Sequence, residues 1–277
     1  MLSFEIMVIL IILMFLVSFL YSNLGLGGGM LYVPIMVLIA TTMDRLEIIP
    51  ISLFLSFMTQ LPAGYLHHKK ELVKVKLGLL LAAATIPGVI IGALLGIQTK
   101  DVLAYCLFSL LMFFTGFKML YDVYNKKFDN IMDDRKYSKQ RLVAVFLISI
   151  GTGVVAAFFG VGGGIITVPV LIYILGLYPR RAIGTSAFMI VFTSIIGFIC
   201  YWVLSLNCCS VLGGNLRSVP TIDFTMTIVL GIVVLIGAYI GSGWGLKSLK
   251  TKNVQIIFIA IVIFVGVQLL LRALRYI

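Results

Sequence analysis

In "NLGLGGGMLYVPIM", Asn23–Met36, and "FFGVGGGIITVPVL", Phe158–Leu171, glycines recur at the same spacing, and a proline follows the last of them by five residues. Glycine weakens a helix interior by about 1 kcal/mol relative to alanine, and proline by about 3. Gly25, Gly27, Gly28 and Gly29, and again Gly160, Gly162, Gly163 and Gly164, therefore interrupt an otherwise oily run. Where a helix restarts after such a break, its first N–H groups lack an internal acceptor and carry the positive end of the helix dipole. Two such ends brought together could hold a small anion with no buried lysine. Close packing of helix backbones is the other use of the same glycines. Twinned breaks with twinned prolines favour the anion site.

Polar side chains point to the same place. Ser52, Ser56, Thr59 and Gln60 recur at helical spacing on one face of an apolar segment, and Thr185, Ser186, Thr193 and Ser194 lie in the matching segment of the second half. Hydroxyls in membrane helices often bond their own backbone. Gln60, with a full amide to satisfy, is the more costly one to bury alone. Asn23 either caps the first turn or donates to a ligand. The candidate substrate-binding set is thus Asn23, Gly25, Gly27, Gly28, Gly29, Ser52, Thr59, Gln60, Gly160, Gly162, Gly163, Gly164, Thr185, Ser186, Thr193 and Ser194.

Other reactive residue types are placed less suggestively. Arg45, Arg180 and Arg181 are expected at water-facing helix ends as anchors, and His67 and His68 beside Lys69 and Lys70 in a solvated loop. Cys106 and Cys200 fall within apolar runs, and Cys208 and Cys209 are adjacent in a loop, without metal-ligand spacing. Glu5, Glu47, Asp101 and Asp223 lie near segment ends, so no buried carboxylate relay is evident. No nucleophile–base set or phosphate loop is present, so no catalytic residue, metal or cofactor is expected.

The elements that must position these residues follow from composition. Of 277 residues, 61% are hydrophobic and 11% charged, with mean hydropathy +1.17, whereas a soluble domain carries about 25% charged residues. Apolar runs near 4–22, 46–66, 77–97, 101–121, 141–159, 182–206, 223–245 and 253–271 reach the roughly 20 residues a spanning helix needs. Two shorter runs, 29–40 and 164–177, follow the glycine stretches. The strict alternation of a β-barrel is absent. The first run has no basic residue ahead of it and no small-residue cleavage pattern after it, so it reads as a retained helix rather than a signal peptide. A net charge of +11, spread over short loops, reads as membrane orientation rather than nucleic-acid binding.

The second half repeats the first. At an offset of 135 the glycines, Val33, Pro34 and Arg45 fall on their counterparts, ending with Val168, Pro169 and Arg180. Gly88, Gly92 and Gly96 fall on Gly237, Gly241 and Gly245 at an offset of 149, the 14 extra residues belonging to the loop "NCCSVLGGNLRSVP". These last glycines have the small-xxx-small spacing that lets helices pack closely. If each glycine stretch separates two membrane-entering segments, 16 basic residues gather on one side and 5 on the other. The positive-inside rule then favours ten segments, and halves of five, an odd number, must be inverted. The expected fold is all-α and polytopic, with two inverted five-segment repeats (1–122 and 141–277), a cytoplasmic charged linker (123–140) and outward-facing termini. Residues 29–40, about 18 Å long as a helix, are too short to cross. They suit a hairpin whose glycine tip meets its inverted twin near the midplane.

The motifs "GLGGGMLYVP" and "GVGGGIITVPVLIYILGLYPRRAIGTSAF", the glycine-spaced helices and the charged linker together resemble the TauE/SafE family of membrane permeases over nearly the whole chain. The run "RRAIGTSAF" is the more specific match, while "RLEIIPISL" in the first half departs from the family pattern. The resemblance implies a multi-pass protein of a bacterial or archaeal plasma membrane that moves small sulfur-containing anions such as sulfite, sulfonates or sulfoacetate. The leading expectation is a secondary transporter with alternating access to a midplane site. A channel-like facilitator is the alternative, and a membrane enzyme would need a nucleophile or metal cluster that the sequence lacks. Its partners are then the anion and the lipid bilayer, with a proton or sodium coupling ion left open.

Overall fold

In lipid, a long apolar run satisfies its backbone groups internally by forming a helix, and helices are what the chain builds. The computed structural model describes residues 4–22, 25–124, 138–207, 220–248 and 251–275. Among the described residues the elements are α1 (Phe4–Tyr21), α2 (Gly29–Ile39), α3 (Arg45–Lys69), α4 (Val75–Gln98), α5 (Asp101–Tyr124), α6 (Lys139–Phe159), α7 (Gly164–Tyr173), α8 (Pro179–Asn207), α9 (Phe224–Ser248) and α10 (Thr251–Arg275). Among the described residues seven helices are long and apolar enough to cross a membrane, while α2, α7 and the stretch Val262–Leu274 of α10 fall short of that length. At 11 and 10 residues α2 and α7 rise about 16 and 15 Å, half of a hydrocarbon core of about 30 Å. Most of the expected linker, residues 125–137, lies outside the described residues, as do Asn23, Cys208 and Cys209.

Local chemistry sets the element ends. Gly28 and Gly163, both left-handed, precede the first residues of α2 and α7. Pro34 and Pro169 sit inside those helices rather than ending them, so the break belongs to the glycines. Asp223 caps α9, its carboxylate accepting from the Met226 N–H at 3.0 Å. Such a cap contributes about 1 kcal/mol.

The helices pair in a pattern that survives exchange of the two halves. α1 packs on α9 as α6 packs on α4, α3 meets α9 as α8 meets α4, and α2 lies on α3 as α7 lies on α8. The matched helices α3 and α8 pack on each other, as do α5 and α10. The glycine-spaced helices make the closest seams. A Cβ on Gly88 or Gly92 would run into the backbone of Ile150 or Val154, and one on Gly237 or Gly241 into that of Phe15 or Phe19. α4 therefore runs parallel to α6 and α9 parallel to α1, each glycine stripe serving as the close-packing surface that its spacing predicts. Along the central pair, Gly184 faces His67, Gly64 faces Phe188 and Gly197 faces Leu53, so α3 and α8 are antiparallel. α3 is the most deeply buried of the spans, whereas α1 and α5 turn Phe4, Ile12, Leu103, Leu110, Phe114 and Phe117 outward. Exposed apolar side chains on an outer helix face are what a lipid surround requires.

Two expected surface residues are buried. Arg45 is only 5% exposed. Its Nε meets Asp101 Oδ1 at 3.0 Å, and its Nη2 donates to the Gly96 and Thr99 carbonyls at 2.8 and 3.0 Å. It sits at a helix start as expected, but the end of α4 folds over it, and the guanidinium satisfies carbonyls left unpaired there. His67 is 2% exposed, because α3 continues through it to Lys69 and sets its Cβ against Gly184 of α8. His68, Lys69, Lys70 and Arg180 are exposed, in keeping with expectation, and Arg181 is half-buried.

Candidate functional site

The two glycine turns share a backbone geometry that only glycine adopts readily. Gly25, Gly27 and Gly28 have φ of 61, 88 and 71°, and Gly160, Gly162 and Gly163 have 73, 80 and 93°. Each turn ends where a short helix begins. The first helical bonds there run from Leu31 and Tyr32 to the Gly28 carbonyl, and from Ile166 and Thr167 to that of Gly163. The preceding N–H groups, those of Gly29, Met30, Gly164 and Ile165, have no backbone acceptor among the described residues.

The turns meet. A Cβ on Gly29 would collide with the Gly160 carbonyl and stand 2.8 Å from Val161 Cα. One on Gly164 would stand 2.6 Å from Leu26 Cα and 2.7 Å from the Gly25 carbonyl. Each helix start therefore lies against the opposite turn. Gly28 and Gly163 face elsewhere, toward the Tyr32 ring and Thr152 of their own halves.

α3 and α8 hold this junction from both sides. Ser52 Oγ donates to the Gly160 carbonyl at 2.8 Å, and Ser186 Oγ donates to the Gly25 carbonyl at 3.0 Å, so each central helix clamps the turn of the other half. Thr59 bonds the Leu55 carbonyl and the Tyr32 hydroxyl, tying α2 to α3. Thr193 bonds the Met189 carbonyl and meets Thr85 of α4 at 3.0 Å. Thr185 accepts from the Lys74 N–H at 3.1 Å, holding the α3–α4 connection against α8. These five side chains are occupied in holding helices together.

Three others at the junction are not. Ser56 Oγ, Ser194 Oγ and both amide atoms of Gln60 are buried without a hydrogen-bond partner among the described residues. A Cβ on Gly29 would stand 2.8 Å from Ser56 Oγ, and one on Gly162 would stand 2.9 Å from Ser194 Oγ. The hydroxyls thus lie where the turns converge, with Gln60 one helical turn beyond Ser56. A buried polar group left unpaired costs about 1–3 kcal/mol, so this cluster has unused capacity to bind. It offers hydroxyl donors, amide donors and helix-start N–H groups, a set suited to a small acceptor-rich ligand. Among the described residues no three His, Cys, Asp or Glu side chains group as metal ligands.

The structure brings Gly25, Gly27, Gly29, Gly160, Gly162, Gly164, Ser52, Ser186 and Ser194 to one junction, sets Gln60 one helical turn beyond it and turns Gly28 and Gly163 away from it, and it gives Thr59, Thr185 and Thr193 to interhelical bonds. Ser56 joins the junction although the candidate set omits it. Its position four residues after Ser52 and four before Gln60 was the available signal. Arg45 and His67 are buried polar groups that local sequence presented as surface residues. Arg45's partner Asp101 is 56 residues away, beyond the reach of a periodicity argument.

Comparison with known proteins places the chain among membrane transporters. The family model described as "Sulfite exporter TauE/SafE" matches residues 10–269. A "Probable membrane transporter protein" of Methanocaldococcus jannaschii is 25% identical over 268 residues, covering 95% of both chains. The "Probable membrane transporter protein YunE" of Bacillus subtilis is 24% identical over 284 residues, covering 95% of this chain and 97% of its own. No solved structure matches the chain.

Proposed function

The chain belongs to the TauE/SafE family of membrane transporters, and from that premise we propose that it carries a small sulfur-containing anion, such as sulfite, a sulfonate or sulfoacetate, by alternating access to a site between its two glycine turns. The observation that carries this reading is the convergence of both turns on Ser56 and Ser194, with Gln60 one helical turn beyond, three buried polar side chains without a hydrogen-bond partner among the described residues. Helix starts contribute roughly 0.3–1 kcal/mol each to an exposed anion and up to about 2 when partly buried. Several such donors hold an anion at micromolar to millimolar strength, about 4–8 kcal/mol, weak enough for release. No full positive charge is needed at the centre, and the nearest buried cation on α3, Arg45, is engaged by Asp101. Sulfite and sulfonate oxygens accept several hydrogen bonds each, which suits a donor-rich junction.

Alternating access is supported by the exchange-symmetric pairing of the helices and by the antiparallel course of α3 and its counterpart α8. Halves of opposite orientation can trade conformations, so that one central site opens to each side in turn. Counterflow of radiolabelled sulfite in proteoliposomes tests the proposal, with saturable exchange expected and competition by methanesulfonate. Large unitary currents without saturable counterflow would replace it with a channel-like facilitator.

A further inference from the structure

Tyr21 has other interactions. Setting it aside, the buried side-chain atoms without a hydrogen-bond partner among the described residues belong to Arg45, Ser56, Gln60, His67 and Ser194. Four of these five residues lie on α3 (Arg45–Lys69), and the fifth lies on α8 beside the same junction. At about 100° per residue, positions 45, 60 and 67 all fall within about 40° of Ser56 around the helix. They form one stripe. Ser56 is 11 residues from both Arg45 and His67, or about 16 Å each way. The stripe is therefore about 33 Å long, matching a hydrocarbon core of about 30 Å, with the glycine junction at its middle.

The two ends are built differently but each retains a free donor or acceptor. At Arg45, Nε and Nη2 are fixed by Asp101 and by the Gly96 and Thr99 carbonyls, while Nη1 is unpartnered. At His67 both ring nitrogens are unpartnered. This histidine packs against Gly184 of α8, next to a connection carrying Lys69, Lys70 and Lys74. Neighbouring polar groups of α3 show that pairing was available, since Ser52 and Thr59 are both bonded. Unpaired polar atoms spaced along one helix face from end to end are what a polar solute's route requires, because each costs free energy when nothing passes.

We propose that the anion's route through the protein follows this face of α3, with Arg45 Nη1 and the His67 ring as stations at its two ends and Ser56, Gln60 and Ser194 between them. The inference rests on the transporter reading above and names the residues through which a small oxyanion reaches and leaves the central site. Arg45 at 5% exposure and His67 at 2% close both ends of the route in this conformation.

Two measurements on reconstituted protein test it. In a chain whose native cysteines are replaced, single cysteines at Ser56, Gln60 and Ala63 of the stripe are compared with cysteines at Leu61 and Tyr65 on the lipid-facing side. A small charged methanethiosulfonate reagent is expected to modify the stripe cysteines, with sulfite slowing the reaction several-fold, and to leave the other two untouched. Modification confined to Leu61 and Tyr65, or none on the stripe, overturns the route. Separately, in the otherwise native chain, His67→Phe is expected to reduce sulfite flux at least tenfold while folded yield and sulfite binding in detergent stay near wild type. His67→Gln, which keeps a donor, restores most of the flux. Normal flux in His67→Phe refutes the station at His67. Absence of sulfite counterflow in the wild-type protein refutes the transporter reading itself.

Discussion

Gly29 and Gly164 do the same work on opposite sides of the junction: each lets a helix start touch the other half's turn. A methyl group at either position meets backbone, which has no alternative rotamer to retreat into. Gly29→Ala and Gly164→Ala are therefore expected to destabilise the protein by about 1–3 kcal/mol, the usual range for overpacking, and to abolish sulfite counterflow in whatever folds. Gly151, exposed on α6 with nothing within 4 Å of its absent Cβ, is the control. Gly151→Ala should stabilise by about 0.5–1 kcal/mol, because alanine restricts the unfolded chain and favours the helix. Melting temperatures in detergent, read with proteoliposome flux, separate the two effects. Equal stability for all three variants would mean the turns do not pack against one another. Ser52 and Ser186 complete the residue-level picture, since each fixes a carbonyl in the other half's glycine turn.

At the scale of elements, α4 and α9 act as rails for the first helix of the opposite half. Their glycine stripes bring helix backbones into contact with α6 and α1, and in lipid such contact is worth having because no hydrophobic force drives helices together there. The α4 stripe faces protein, whereas Gly243 on α9 is exposed, with nothing within 4 Å. Gly92→Leu should thus separate α4 from α6 and lower monodisperse yield by size-exclusion chromatography severely, while Gly243→Leu leaves yield and flux near wild type. Equal yields would show that the α4–α6 seam tolerates a gap. The short helices α2 and α7 depend on these rails indirectly. Neither is long enough to cross, so each remains in place through α3 or α8, against which it packs.

For the whole molecule, orientation follows from charge, and we propose outward-facing termini with the central linker in the cytoplasm. Lys100, exposed between α4 and α5, then faces outside, and Lys139, exposed at the start of α6, faces inside. A membrane-impermeant maleimide applied to intact cells should label a cysteine at position 100 and miss one at 139, the latter reacting only after permeabilisation. The reverse result would invert the topology, and labelling of both from outside would end the inverted-repeat proposal. The same orientation puts the His67 end of α3 in the cytoplasm, together with Lys69 and Lys70, and the Arg45 end outside.

Much of this organisation is legible without coordinates. Apolar length specifies helices because unpaired backbone is intolerable in lipid. Glycine clusters specify where two of them stay short, and the helix ranges fall close to the apolar runs. Glycine spacing likewise marks the faces of α4 and α9 that pack. What periodicity conveys is which face of one helix differs from the others; it does not convey what lies opposite. Only the tertiary structure could separate Thr59, Thr185 and Thr193, which bond across helices, from Ser56, Gln60 and Ser194, which have no hydrogen-bond partner among the described residues, because the distinction depends on atoms 27 to 111 positions away in the chain. It also buried Arg45 and His67. Flanking charge and polarity suggest water, but the end of α4 covers one and α8 covers the other, and neither neighbour is adjacent in sequence.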